Sequence, residues 1–249
     1  MISSDLRFSR STTFIRRFPL IRAFGLCSAL AILSAVPARV DAQPAQTYVV
    51  EKLGDHLFRI GSIRVDTSTL ELTVAGKVNG NVSTLEFVAN TKGGFKAYES
   101  AIELDTNAVM FNAACLLIGL DPAHASHPTR HFDPKPPEGD EVQVTVKWQD
   151  KGAAREIDAG QLLYDREKKR AVSNNRWVYT GSMMLDSGWY LADADGVLIG
   201  FVHSPAPIIE NVASDAVGRY GMIIMNPELG LAADTPITVT VKAVRSGRQ

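Results

Sequence analysis

Residues 99–121 read ESAIELDTNAVMFNAACLLIGLD. Apolar side chains run almost without interruption through this stretch, whereas they alternate with polar ones on either side. The pattern predicts one helix over about 106–118, capped by Asp105 or Thr106 and ended at Gly119. Its apolar residues cover almost every azimuth, so we expect a buried helix about 20 Å long, at roughly 1.5 Å per residue.

The segments around this helix alternate apolar and polar residues at every second position, as half-buried strands do. Residues 142–148 and 237–241 are the clearest examples. Asn79-Gly80 and Asp193–Gly196 predict hairpin turns. We therefore predict a β-rich α+β domain, in which antiparallel sheets pack around the one buried helix at about 106–118.

The N-terminal residues have the pattern of an export signal. Five arginines precede the apolar run 23–36, and Val40-Asp41-Ala42 fits a signal-peptidase site. That run is shorter than the roughly 18 residues of a spanning helix. We therefore expect residues 1–42 to be a signal peptide, with cleavage after Ala42, and residues 43–249 to form a single periplasmic or secreted domain without a membrane span.

The composition of the predicted mature chain excludes several classes of protein. Removing residues 1–42 takes away six Arg and two Asp, so the remaining 207 residues carry 20 basic and 25 acidic side chains, a net charge of −5. Nucleic acid and anionic membranes need a basic face, so neither is the expected partner. Cys115 is the one cysteine left, which excludes an internal disulfide and cysteine-ligated zinc or iron–sulfur sites.

A long loop is predicted over residues 121–141, because it holds five of the twelve prolines. It also carries three of the five histidines: His124, His127 and His131. Three imidazoles can bind zinc or copper. Pro128 rules out a continuous helix as the scaffold, so the alternatives are a looped chelate and a solvated cover without any metal.

Two other places are candidates for ligand binding. Tyr98 and Glu99 stand just before the predicted helix, where a partly desolvated acid can have a raised pKa. A carboxylate that accepts backbone N–H bonds near the helix start is the favoured explanation of Glu99. The aromatic residues Trp177 and Tyr179 lie in a predicted strand over 176–180, and 189–192 is predicted as a second aromatic strand. Their rings are expected to form a recognition surface.

Two further motifs have simpler explanations than chemistry. Residues 193–196 read DADG but lack the later ligands of a calcium loop, so they are better explained as a turn. Ser182 lies outside any G-x-S-x-G sequence, which gives a hydrolase nucleophile little support. The catalytic residues, if there are any, are not apparent from the sequence.

Six motifs follow one another along the chain: Glu99-Ser100, ACLLIGL at 114–120, the valine strand ending at Trp148, WVYTGS at 177–182, ADADG at 192–196 and TPITV at 235–239. In this order they resemble the YdjY-like domain family, a group of mostly exported bacterial proteins of uncharacterised function, from about Leu85 onward. Members of that family often have a His in place of Tyr98 and another near Asn112. These two departures weaken any metal or acid–base site that the resemblance implies.

The sequence contains no catalytic constellation, so we expect a non-catalytic binding or interaction module of the periplasm or cell envelope. No cofactor is expected, and the partner would be an envelope protein or a small ligand. The alternative is a metal-binding protein, or a metal-dependent enzyme, that uses zinc or copper on the histidines at 124–131. A third possibility is a structural accessory of a larger envelope complex.

Overall fold

The computed structural model describes residues 48–80, 82–173, 175–212 and 220–245. The predicted signal peptide, residues 1–42, lies outside this part of the chain. Two α-helices and fifteen strands occur within the described residues: β1 (Val50–Lys52), β2 (Leu57–Ile60), β3 (Ile63–Asp66), β4 (Glu71–Val78), β5 (Phe87–Thr91), β6 (Ser100–Leu104), α1 (Ala108–Leu117), β7 (Asp140–Asp150), β8 (Ala153–Asp158), β9 (Leu163–Asp165), β10 (Arg170–Ala171), β11 (Trp177–Tyr179), α2 (Leu191–Asp195), β12 (Val197–Gly200), β13 (Ile209–Asn211), β14 (Ile223–Met225) and β15 (Pro236–Ala243).

Eight of these strands close into a β-barrel. They pair in the order β4, β15, β7, β11, β13, β12, β5 and β6, and β6 pairs back with β4. Two of the pairs, β5 with β6 and β12 with β13, are parallel, and the other pairs of the ring are antiparallel. The expectation of a β-rich domain is confirmed, but that of antiparallel sheets packed around a helix is wrong.

The barrel closes at β4, whose one edge is shared between two neighbours. Its first residues pair with β3, and its last three, Gly76 to Val78, pair with β6. A Cβ atom added to Gly76 would lie 2.3 Å from the carbonyl oxygen of Glu103, so only glycine allows β6 to come this close. Closure of the barrel therefore depends on having glycine, which has no side chain, at position 76.

The core lies inside the barrel, where alternate side chains of each strand meet. Val74, Val239 and Val146 stand side by side across three neighbouring strands, and all three are buried. The period-two valine pattern that predicted strands at 142–148 and 237–241 is thus confirmed, because its apolar side faces the interior.

Smaller elements flank the barrel. β1, β2 and β3 form an antiparallel meander that continues from β4, and β8 pairs with the second half of β7. A separate sheet has the order β10-β9-β14. None of the helices formed by the described residues is long and apolar enough to cross a membrane.

The predicted apolar helix is present, but its N-cap and the sheet against which it packs differ from the prediction. α1 is capped by Asn107, whose side chain accepts a bond from the Met110 amide at 2.8 Å, rather than by Asp105 or Thr106. It ends where Gly119 adopts a φ of +90°. The helix lies against β3, β12 and α2, and Leu116 on it is 45% exposed. One side of the helix is therefore buried as predicted, because Phe111, Ala114 and Cys115 belong to the same core as the barrel strands, but the sheet that it contacts is a closed barrel.

Two predicted hairpins are also wrong. The strands on either side of Asn79-Gly80 are not partners, since β4 pairs with β6 and β15, whereas β5 pairs with β6 and β12. The stretch 189–192, predicted as a strand, leads into the short helix α2, and Gly196 ends that helix with a φ of +68°. Local turn signals do not reveal these non-local pairings.

Replacing Gly76 with Ala tests the closure of the barrel. The new methyl group would overlap the Glu103 carbonyl, so we expect a loss of at least about 2 kcal/mol in the free energy of unfolding, as overpacked sites show. Urea denaturation followed by circular dichroism measures it. Gly54→Ala is the control, because a Cβ there meets only ordinary contacts, at 3.7 Å from Leu57. Equal stabilities of the two variants would contradict the prediction.

Candidate functional site

The parallel pairing of β5 and β6 requires a crossover, and this crossover carries exposed aromatic residues. It contains a 3-10 helix, Phe95–Glu99, that lies against both strands. Phe95 is 74% exposed and Tyr98 56% exposed. Their rings meet edge to face, with centroids 5.9 Å apart and planes at 82°. Two large rings thus face solvent on an element that the barrel holds in place.

Lys96 lies between the rings and a buried acid. Its Nζ is 5.7 Å from the Tyr98 ring centroid, 5.9 Å from that of Phe87, and 2.7 Å from Glu99 Oε1. Burial lowers the pKa of Lys96, but the hydrogen bond and negative charge of Glu99 outweigh it, so the pKa is raised overall. Lys96 therefore stays charged and fixes the position of Glu99 beneath the aromatic surface.

A second half of the site comes from the loop before β7. His131 Nε2 lies 3.0 Å from Glu86 Oε2, and the His131 ring stands edge to face on Phe132 at 4.3 Å. Phe132 in turn meets Tyr220 at 6.3 Å, with planes at 85°. The His131 ring is 6.5 Å from that of Phe87, which joins the two halves.

We call this set of rings the aromatic row: Phe95, Tyr98, His131, Phe132 and Tyr220, together with Phe87, whose ring is buried beneath the surface. Two carboxylates underlie it. Glu86 and Glu99 are neighbours on the parallel strand ends, joined by a 2.9 Å bond from the Glu86 amide to the Glu99 carbonyl, and both are buried. Each carboxylate has its own basic partner, so the row presents rings rather than charge.

The loop that supplies His131 and Phe132 is held by an internal clamp. Asp133 accepts bonds from the Thr129 amide at 2.9 Å and the Lys135 amide at 2.9 Å. These bonds lower the pKa of Asp133 to about 2. His203, which is buried, bridges the loop to the barrel, because its Nδ1 is 3.0 Å from the Asp133 carbonyl and its Nε2 is 3.0 Å from the Asn211 carbonyl.

Two residues at this clamp, one in the loop and one on the barrel, have unusual backbone conformations. Phe132 has a φ of +55° and His203 a φ of +60°. Left-handed conformations are disfavoured for bulky residues and persist where surrounding contacts impose them. Next to His203, the Glu210 side chain is fully buried, and this burial raises the pKa of Glu210 to about 8. Its carboxylate accepts bonds from the amides of His203 and Ser204, which act in the opposite direction and lower the pKa. Asp133, the residue that follows Phe132, bonds to the His203 carbonyl through its amide and to the His203 ring through its carbonyl, so His203 holds the chain next to Phe132.

The structure brings three of the residues predicted from sequence together: Tyr98, Glu99 and His131. It places Trp177 and Tyr179 elsewhere, inside the barrel, where both are buried. The Trp177 indole donates to Asp158 at 3.4 Å, and the Tyr179 hydroxyl donates to Asn112 at 2.7 Å. These two rings therefore belong to the core and offer no surface to a partner.

The remaining loop histidines have separate surroundings. His124 Nδ1 lies 2.8 Å from Asp140 Oδ1, whereas His131 is paired with Glu86. His127 is partly buried, and burial lowers its pKa. Within the described residues, no group of three or more His, Cys, Asp or Glu side chains is arranged to hold a metal ion. Metal binding stays a prediction, which elemental analysis of the purified protein and of its His127→Ala variant would test.

Sequence reasoning missed Lys96, Glu86, Phe95, Phe132 and His203. A local signal existed for Phe95 and Lys96, because both lie within three residues of Tyr98, which the sequence had singled out. The other residues carry no such signal, since they join the site only through strand pairing and the folding of the loop.

A comparison with known protein families identifies the family of this chain. A family model described as the YdjY domain matches residues 63–242. The chain therefore belongs to the YdjY domain family, whose function is uncharacterised. This confirms the resemblance read from the order of the sequence motifs. No curated protein and no solved structure matched the chain.

Replacing Glu99 with Gln tests the buried ion pair. The substitution leaves the burial that lowers the pKa of Lys96 and removes the negative charge of Glu99, which raises it more than the nearby Tyr98 hydroxyl does. We therefore expect the pKa of Lys96 to fall, as measured by titration of its ¹³Cε chemical shift. Glu103→Gln is the matched control and should leave it unchanged. If the pKa of Lys96 were the same in Glu99→Gln as in the original protein, the ion pair between Lys96 and Glu99 would be refuted.

The clamp is tested by replacing His203 with Asn, which tolerates a positive φ but cannot reach both carbonyls. We expect amides of residues 126–138 to exchange with deuterium at least about tenfold faster, because that is the effect of losing about 1.4 kcal/mol of local stability. Mass spectrometry of peptic fragments measures it. Strand β15 and the exposed control His56→Asn should show unchanged exchange. Faster exchange throughout the barrel would count against a local role.

Proposed function

We propose that this protein is an exported, non-catalytic binding module of the periplasm or cell envelope, and that the aromatic row is its contact surface. The observation that carries this proposal is the exposure of three large rings, Phe95, Tyr98 and Tyr220, whose side chains are 74%, 56% and 68% exposed. Large rings pinned in a row at the surface are typical of recognition sites, since they give contact area at little entropic cost.

The charges of the site favour binding over proton transfer. Glu99 is paired with Lys96 and Glu86 with His131, so each carboxylate is already engaged by a basic group. A general base needs an accessible acceptor within hydrogen-bond reach of a substrate proton. Both carboxylates are instead buried under rings. Their role in this proposal is to hold Lys96 and His131, and through them the row, in a fixed arrangement.

The location of the protein is part of the same proposal. It is supported by the arginine-rich start, the apolar run 23–36 and the small-residue site at Ala42. Cell fractionation with an antibody against the protein tests it: the chain should be found in the periplasmic or secreted fraction and begin at residue 43. Recovery of the full-length chain from the cytoplasm would overturn this part.

Site-specific photocrosslinking in the native host tests the contact surface. A benzoylphenylalanine at position 95 should form a discrete adduct, and the adduct should be lost when Tyr98→Ala is added. The control position is Met184, an exposed apolar residue outside the row that is 60% exposed. An adduct from position 184 alone, or none from position 95, would oppose the proposal.

The proposal that the protein catalyses no reaction is tested separately. An unbiased screen of envelope metabolites and peptidoglycan fragments against the purified protein should detect no turnover. Turnover that disappears in Glu99→Gln would replace the binding module with an enzyme at the same site.

A further inference from the structure

The sheet that contains the barrel ends in an exposed strand, β1. It pairs with β2 on one side, and no strand of the described residues lies on its other side. All three residues of β1 are exposed. The residues that flank them, Val49 and Leu53, are 74% and 50% exposed. An exposed strand with apolar side chains at the edge of a sheet can pair with a strand of another molecule.

The bonds on the inner side of β1 show which of its backbone groups point outward. The Leu53 amide donates to the Leu57 carbonyl at 2.8 Å, so the backbone of Leu53 faces β2. Successive residues of an antiparallel strand face its two sides alternately. Glu51 therefore faces β2 as well, and the amide and carbonyl groups of Val50 and Lys52 point away from the sheet.

The charges of β1 decide how a second copy of the chain can pair with it. Two copies related by a twofold axis pair antiparallel, and their outward groups meet only if the axis passes through a residue of the strand. An axis at Glu51 sets two acids opposite each other, and an axis at Lys52 sets two bases opposite. Like charges in directly opposite positions destabilise a strand pair. Val50 is the one position in β1 that avoids both.

We propose that two copies of this chain associate through β1, antiparallel and with Val50 on the twofold axis, so that the sheet continues from one molecule into the other. Val50, which is 43% exposed, then packs against Val50 of the second copy. Lys52 lies opposite Tyr48 of that copy, and Glu51 lies opposite its Val49. Glu51 keeps its bond from Arg59 Nε of its own chain, at 3.1 Å.

The dimer is expected to be weak. The contact is one short strand wide, which is less than the roughly 1,200 Å² of standard stable interfaces. This inference uses other residues than the aromatic row and does not rest on the proposed binding function.

Sedimentation equilibrium of the purified protein, from about 1 μM to 1 mM, measures the association. We expect dimers at the higher concentrations. Val50→Pro should raise the dimer Kd at least about tenfold, because proline removes both hydrogen bonds of the central pair and leaves the bonds to β2 in place.

Ala154→Pro on β8 is the matched control. A two-residue turn joins β7 to β8, so Ala153 faces Asp150 and the amide of Ala154 points away from β7. This variant also loses one outward amide at a sheet edge, and its dimer should be unchanged. Thermal unfolding curves verify that both proline variants are folded.

A cysteine on the axis tests the register and the identity of the partner. Directly opposite residues of a hydrogen-bonded antiparallel pair have Cα atoms about 5.5 Å apart, which a disulfide can span. Val50→Cys should therefore form covalent dimers on mild oxidation. Val49→Cys should not, because it lies opposite Glu51 of the second copy. The native Cys115 is buried and does not compete.

Three results would overturn the proposal. The first is a protein that stays monomeric over the whole concentration range, including one whose β1 captures a different protein when benzoylphenylalanine is placed at position 49 in the native host. The second is an equal loss of dimer in Ala154→Pro and Val50→Pro. The third is equal crosslinking of Val49→Cys and Val50→Cys, which contradicts an axis at Val50.

Discussion

The close contact between β4 and β6 is the constraint on which the rest of this structure depends. It forms at Gly76, where any Cβ would overlap the Glu103 carbonyl at 2.3 Å. Once these two strands pair, the sheet has no free edge within the ring, and its apolar side is enclosed by the barrel itself. The helix α1 adds Phe111, Ala114 and Cys115 to this core from one side, whereas its Leu116 is exposed.

The site follows from the same topology. Because β5 and β6 are parallel, the chain must return along the outside of the barrel, and the return segment carries Phe95 and Tyr98. Parallel register also makes Glu86 and Glu99 neighbours, which brings two carboxylates under one surface. Glu99 is paired with Lys96 Nζ and Glu86 lies 3.0 Å from His131 Nε2, and these two partners come from different segments. The Glu86 amide bond to the Glu99 carbonyl and the contact of Glu86 with His131 thus link the crossover to the loop.

The loop before β7 illustrates how a proline-rich segment becomes part of a site. It lacks a long regular element, yet Asp133 satisfies several of its amides and His203 joins it to the barrel. Phe132 keeps a left-handed backbone conformation inside this clamp. Order in the loop therefore comes from specific hydrogen bonds and not from secondary structure, and this order fixes where Phe132 and His131 stand.

The sequence by itself determined the strands with clean alternation, such as 142–148 and 237–241, the apolar helix and its end at Gly119, and the family. Alternation of apolar and polar residues shows which side of a strand is apolar, whatever its neighbours are. A glycine with a positive φ ends a helix regardless of where the helix lies in the fold. Only the tertiary structure decided which strands are neighbours, because pairing energy depends on segments far apart in the chain. Pairing of distant segments also brings Tyr98 and His131 to one site. It buries the strand of Trp177 and Tyr179 on both faces, so these two rings do not reach the surface.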